Sequence, residues 1–247
     1  MSFLEHLDEL RTRLTVSALA LLGGFLVAFA LSGYVFDFIM RPLQDALPPG
    51  GQLVYTEPAE AFLLYLKIAA LAGTVLAAPI VMWQLWLFIA PGLYTNEKRY
   101  AIPFVLMSSV FFVSGAAFSH YLVFPFAWRF FASFGSDYVE FMPRIAPAFS
   151  LYAKLALAMG AVFQMPTLVL FLARMGVVTA GFLVRQIKYA ILVIFILAAI
   201  LTPGPDVVSQ LLMAGPMILL YALSILIAWV FGRKRRKGPA ESETPEN

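Results

Sequence analysis

"YAILVIFILAAILTPGPDVVSQLLMAGPMILLYALSILIAWVF", residues 189–231, holds two uncharged apolar runs separated by a five-residue break. The first, 189–201, spans thirteen residues, about 20 Å of helix at about 1.5 Å per residue. A bilayer core of about 30 Å needs about 20 apolar residues. A helix this short must thin the bilayer or shelter behind its neighbours. The second run, 207–231, is long enough to cross. Between them "TPGPD" is a proline-glycine turn that allows only a tight antiparallel hairpin. Asp206, at the start of the second helix, is placed to cap the backbone N–H of Ser209, and a partner or gating contact is the alternative use of its carboxylate.

Working outward, four more apolar runs predict spans at about 15–36, 60–90, 100–126 and 151–175, which gives an all-α polytopic protein of six transmembrane helices. The composition agrees. Of 247 residues, 62% are hydrophobic and 13% charged, with a mean hydropathy of +0.86, far from the balance of a soluble domain. The chain has no cysteine, which excludes disulfides, thiolate metal sites and cysteine nucleophiles. Residues 1–231 read as a single transmembrane domain and 232–247 as a basic, then disordered tail. The tail opens with "RKRRK", whose plain role is contact with anionic lipid. A net charge of +3 with one basic run carries no nucleic-acid signature.

Basic residues set the expected orientation. Twelve of the seventeen Lys and Arg fall in the N-terminus, the "TNEKRY" loop, the segment 174–188 and the tail, all on one side of the membrane. Both termini are therefore expected in the cytosol. The other side is expected to hold two longer loops rich in Pro and Gly, 37–59 and 127–150, with Arg41, Lys67, Arg129, Arg144 and Lys154 spread on it.

Four places depart from a plain lipid-facing pattern. The N-terminal "FLEHLDELRTRL", 3–14, reads as an amphipathic interfacial helix over 2–14, with Ser2 and Glu5 as a capping box and Glu9 and Arg13 as an i,i+4 pair. The loop "APGLYTNEKRYAIP" places Glu97 at the same side, stiffened by Pro91, Tyr94 and Pro103. Exposed ion pairs contribute only about 0 to 1 kcal/mol, so stability does not explain these acids. "VFQMP" puts an amide, Gln164, inside the fourth span, either as a packing contact or as a contact to a partner or substrate. Asp206 is the fourth.

Enzyme readings fail on residue content. The two histidines, His6 and His120, form no H-E-x-x-H pair, there is no G-x-S-x-G elbow, and the middles of the six spans carry no Asp, Glu or His. No catalytic set and no bound cofactor are expected. An ion-coupled secondary transporter is the alternative, but it should show inverted repeats and charged midplane sites.

"HLDELRTRL", "APGLYTNEKRY", "VFQMP" and "TPGPDVVSQ", in this order across nearly the whole chain, resemble the TatC family, the multispanning core of the twin-arginine protein translocase. Pro42 in "MRPL", Pro79, Phe124 and Pro125 in "YLVFP", and Ser209 with Gln210 extend the resemblance. It implies a receptor, in the cell inner membrane, for folded precursors bearing twin-arginine signal peptides. Glu9, Leu10 and Arg11 of the N-terminal stretch, with Phe88, Pro91, Tyr94 and Glu97 around the first cytoplasmic loop, would bind the signal peptide. It further implies single-span TatA and TatB partners, contacted through Pro42, Gln164, Asp206 and Gln210. A homo-oligomer within a larger complex and the proton-motive force as driving force follow by the same resemblance. Two positions depart from the family pattern. Gly204 separates Pro203 from Pro205, and Gln164 stands where many relatives have Glu, which removes a titratable proton there.

Overall fold

A long uncharged segment in hydrocarbon must satisfy each backbone N–H and C=O within itself, which selects helix. The computed structural model describes residues 3–45, 47, 51–89, 101–135, 141–202 and 206–232, and among these it is helical, with one isolated bridge between Val54 and Arg144. The elements are α1 (Phe3–Ala30), α2 (Ser32–Asp45), α3 (Glu60–Ile89), α4 (Ala101–Phe118), a π-helical turn (Ser119–Val123), α5 (Phe124–Ala132), α6 (Ile145–Val162), α7 (Met165–Arg174), α8 (Ala180–Arg185), α9 (Ile187–Leu201) and α10 (Val207–Phe231). Five helical runs are long and apolar enough to cross a membrane, and α9 is a shorter apolar helix. Its 15 residues give about 22 Å, below the hydrocarbon thickness, as its composition requires.

Several boundaries differ from those read in the sequence. Residues 3–14 are the first turns of α1, with no break before the span. Beyond Ala30 the interruption is a single residue, Leu31, whose N–H donates to Val27 O and whose carbonyl accepts from Val35 N–H. Helix then continues through Pro42 to Asp45, where a loop from residue 37 was expected. Ile39, Met40 and Leu43 bury one face of α2, and that burial outweighs the single donor Pro42 lacks. α6 likewise starts six residues early. The fourth span is broken at Phe163 and Gln164, just before Pro166. Lys67 and Lys154 lie on α3 and α6 rather than in loops.

α1 and α3 run antiparallel, touching at Gly24 and Gly73 and again at His6 and Phe88. At the glycine crossing a Cβ on Gly73 would lie 2.5 Å from the Phe25 backbone nitrogen, so only glycine permits this approach. Gly115 makes a second such crossing, where a Cβ would lie 2.5 Å from Met159 O on α6. Small residues that let backbones meet are the usual adhesive of membrane helices. The core proper joins Leu43 of α2, Ile68 of α3, Phe124 of α5, Phe149, Leu155 and Met159 of α6, and Met213 and Met217 of α10.

At the face opposite the start of α1, Glu60 ties the two loop regions together. It is 6% exposed and accepts from Thr56 N–H (3.0 Å), Ala146 N–H (3.2 Å) and Arg144 Nη2 (3.5 Å). Val54 N–H donates to Pro143 O and Ile145 N–H to Val54 O alongside it. The carboxylate thus caps the start of α6 from another helix, satisfying a donor that α6 cannot satisfy itself.

Candidate functional site

Helix periodicity places Glu9 and Arg13 on one face of α1, and Arg13 Nη2 donates to Glu9 Oε1 at 3.2 Å. The Glu9 side chain is 17% exposed, and its second oxygen, Oε2, is buried with no hydrogen-bond partner. Arg13 Nε is likewise unpartnered. Leu10 and Arg11 point outward. A concavity of about 610 Å³ opens along this stretch, lined by Asp8, Glu9, Arg11, Thr12 and Arg13 among others.

The second expected recognition element meets the first. The His6 ring stacks on Phe88 near the end of α3, with centroids 4.7 Å apart. His6 is one turn before Glu9, so Phe88 and Glu9 belong to one surface. Pro91, Tyr94 and Glu97, and the capping residue Ser2, lie outside the described residues.

The residues expected to face partners are scattered. Gln164 is held inside the chain: Ser108 Oγ donates to its Oε1 (2.5 Å), and its Nε2 donates to Ser108 O (3.0 Å). Ser108 is about 10 Å along α4 from its first residue, which puts the amide about two-thirds of the way from that face to the bilayer centre. Asp206 caps α10, its Oδ1 accepting from Ser209 N–H at 2.6 Å. Its Oδ2 and the Ser209 hydroxyl are buried without a partner. Gln210 Nε2 donates to Phe195 O (3.0 Å), which locks α10 against α9. Lys154 Nζ donates to Ile200 O (2.6 Å), capping the end of α9 from α6. Pro42 lines a cavity on the opposite face with Arg41 and Arg129.

Sequence reasoning missed His6, Ser108, Glu60 and Lys154. His6 could have been found one turn from Glu9, on the face that Phe88 must meet if both belong to one site. The others join residues tens of positions apart, with no periodic signal.

The family described as Sec-independent protein translocase protein (TatC) matches residues 5–216. The chain belongs to the TatC family. A Sec-independent protein translocase protein TatC of Desulforapulum autotrophicum is 43% identical over 99% of this chain and 90% of its own length. The TatC protein of Helicobacter pylori strain J99 is 46% identical over 90% of this chain and 87% of its own. A crystal structure of the twin-arginine translocase receptor TatC superposes with a TM-score of 0.77 at 36% identity, covering 90% of this chain and 97% of that one. The TatC fold is a six-span one, and the chain is a multi-pass membrane subunit of the twin-arginine translocase, which works with other Tat components. Membership in this non-enzymatic family sets aside the secondary-transporter reading.

Proposed function

We propose that this TatC-family subunit is the receptor for twin-arginine signal peptides, which it binds at the surface where the start of α1 meets the end of α3. The observation that carries the proposal is the half-occupied carboxylate of Glu9. One oxygen is held by Arg13, while the other is buried and unpartnered beside Leu10 and the His6–Phe88 contact. A buried acceptor without a donor costs about 1–3 kcal/mol, and a guanidinium that reached it would make a charge-assisted bond worth about 1.5–3 kcal/mol, roughly ten- to hundredfold in affinity. Arg11, Pro91, Tyr94 and Glu97 complete the site in this reading, with Glu97 meeting the second arginine. This surface faces the cytoplasm, both termini are cytoplasmic, and the membrane is the inner membrane, as the distribution of basic residues supports.

The single-span TatA- and TatB-type partners dock in this reading on the exposed side of α9, where Leu192, Val193, Ile196 and Ile200 are uncovered, next to the Asp206 cap of α10. Gln164 and Gln210 spend their amides within the chain and act there by holding helices. Transport draws on the proton-motive force, which supplies about 2.3 kcal/mol per charge per 100 mV.

The test is site-specific crosslinking of a twin-arginine signal peptide to α1 in membranes. Glu9→Ala and Glu97→Ala each weaken crosslinking about tenfold or more, the double variant abolishes it, and a lysine-pair peptide binds worse than the arginine pair because ammonium lacks the guanidinium fork. Unchanged crosslinking in the double variant refutes the assignment.

A further inference from the structure

A cavity of about 310 Å³ lies on the face opposite the proposed signal-peptide surface, between α2 and the π turn with α5. Phe38, Pro42, Tyr121 and Pro125 give it apolar walls, and His120 lines it too, while Arg41, Arg129 and Asp45 supply charge. We infer that it binds the headgroup of a phospholipid that carries both a phosphate and a primary ammonium, with the phosphate against Arg41 and Arg129 and the ammonium against Asp45.

Depth is the first support. If the hydrocarbon begins near residue 15 of α1, about 20 residues of helix reach its far boundary near residue 35. Arg41 is six residues further, about 9 Å along the helix, at the outer edge of a headgroup layer about 5–8 Å deep and within reach of it for a long side chain that snorkels back. Counting about 20 residues from the start of α4 at Ala101 independently puts Tyr121 at that boundary and Arg129 about 12 Å beyond it. The two counts agree with the packing: Phe38 and Tyr121 meet edge to face at 6.5 Å, and Phe38 stacks on His120 at 4.4 Å. Tyr34, Phe126 and Phe134 are exposed nearby in sequence, as in the aromatic belt of a membrane interface.

Chemistry is the second. Neither Arg41 nor Arg129 nor Asp45 makes an ion pair among the described residues, although Arg41 and Asp45 are an i,i+4 pair on one helix. Three unpaired charges, two positive and one negative, share a cavity with apolar walls. A guanidinium pair suits a phosphate, and a carboxylate beside it suits an ammonium rather than a second anion. The π turn adds to the fit. Its wider winding puts the successive residues His120 and Tyr121, and Pro125 after them, on the same cavity, and such turns recur at functional sites. His120 is 5% exposed and shares a 2.8 Å hydrogen bond with Tyr152 through Nδ1. A neutral ring that accepts from Tyr152 carries its proton on Nε2, a donor for phosphate that adds no charge.

The experiment is native mass spectrometry of the full chain released from bilayers of phosphatidylethanolamine and phosphatidylglycerol in equal amounts. One phosphatidylethanolamine is expected to stay bound in preference to phosphatidylglycerol. Arg41→Gln with Arg129→Gln lowers the retained fraction at least tenfold, while Arg185→Gln with Lys188→Gln, an equal charge loss elsewhere, leaves it unchanged. Asp45→Asn, which leaves both arginines, removes the preference for the ethanolamine headgroup and keeps lipid binding. Retention unaffected by loss of both arginines overturns the site. Displacement of the lipid by millimolar inorganic phosphate shows a free-anion site and overturns the lipid assignment, and equal retention of the two lipids by the parent chain overturns the role of Asp45.

Discussion

Gly73→Ala tests how the arm carrying Glu9 is held. The added Cβ would lie 2.5 Å from Phe25 N, 2.7 Å from Phe25 Cα and 2.8 Å from Gly24 C, whereas ordinary contact begins at 3.4 Å. All three neighbours are backbone, so no side chain can swing aside, and the helices must part by 3.4 − 2.5 = 0.9 Å. Overpacking of this kind costs about 1–3 kcal/mol. α1 is the element free to give way: 6% of its span is buried, against 33–39% for the other four long spans. His6 is about 27 Å along α1 from Gly24, and Phe88 about 22 Å along α3 from Gly73, so a parting at the crossing is felt where the rings stack. The chain has no cysteine, so His6→Cys with Phe88→Cys gives a clean disulfide reporter of that contact. Gly73→Ala is expected to lower its rate of formation by roughly 5- to 150-fold, the population equivalent of 1–3 kcal/mol. Gly23→Ala is the matched control, because a Cβ there meets nothing within 4 Å and replaces a poor helix former by a good one. An unchanged rate in Gly73→Ala, or equal damage from Gly23→Ala, refutes the account.

Glu60→Ala leaves the N–H groups of Thr56 and Ala146 without their acceptor, at about 1–3 kcal/mol for each that stays buried; limited proteolysis should then cut between residues 46 and 59 faster than in Glu60→Gln, which keeps one carbonyl oxygen. Asp206→Ala should destabilise α10 by about 0.5–2 kcal/mol and Asp206→Asn by less, measured as thermal unfolding in detergent; equal losses would mean that the carboxylate acts otherwise than as a cap. Gln164→Leu removes both hydrogen bonds to Ser108 at a cost of about 0.6–2 kcal/mol. No change in unfolding would show that α4 and the α6–α7 break are held by packing alone.

The spans were legible because hydropathy and length decide them: α3 begins at Glu60 as read, and α9 is short because its apolar run is short. Local pairs were legible for the same kind of reason. Glu9 with Arg13 and Asp206 with Ser209 obey helix geometry within one turn. What escaped was non-local or overridden. Pro42 reads as a loop residue, yet α2 runs through it because Ile39, Met40 and Leu43 have a core to enter. Glu60 meets Arg144 across 84 residues and Ser108 meets Gln164 across 56, and no period links such positions.

Those non-local polar contacts have a common placement. Glu60 joins α3 to α6, Gln164 joins the α6–α7 break to α4, Tyr152 joins α6 to the π turn, and Lys154 joins α6 to α9. α6 takes part in three of these four and ends at the break that makes the other, so it is the post to which α3, the π turn and α9 are tied. Between described residues from Glu9 to the end of α1, the side-chain hydrogen bonds stay within α1 itself. Apolar contact alone drives helix association weakly in lipid, where tails are as apolar as leucine. Among the described residues, α1 meets α3 at a glycine crossing and a ring stack, and only 6% of its span is buried. On the proposed function, a signal peptide that occupied Glu9 would act on the least buried of the five long spans, and the crossing at Gly24 and Gly73 is the pivot through which its motion would reach the far face.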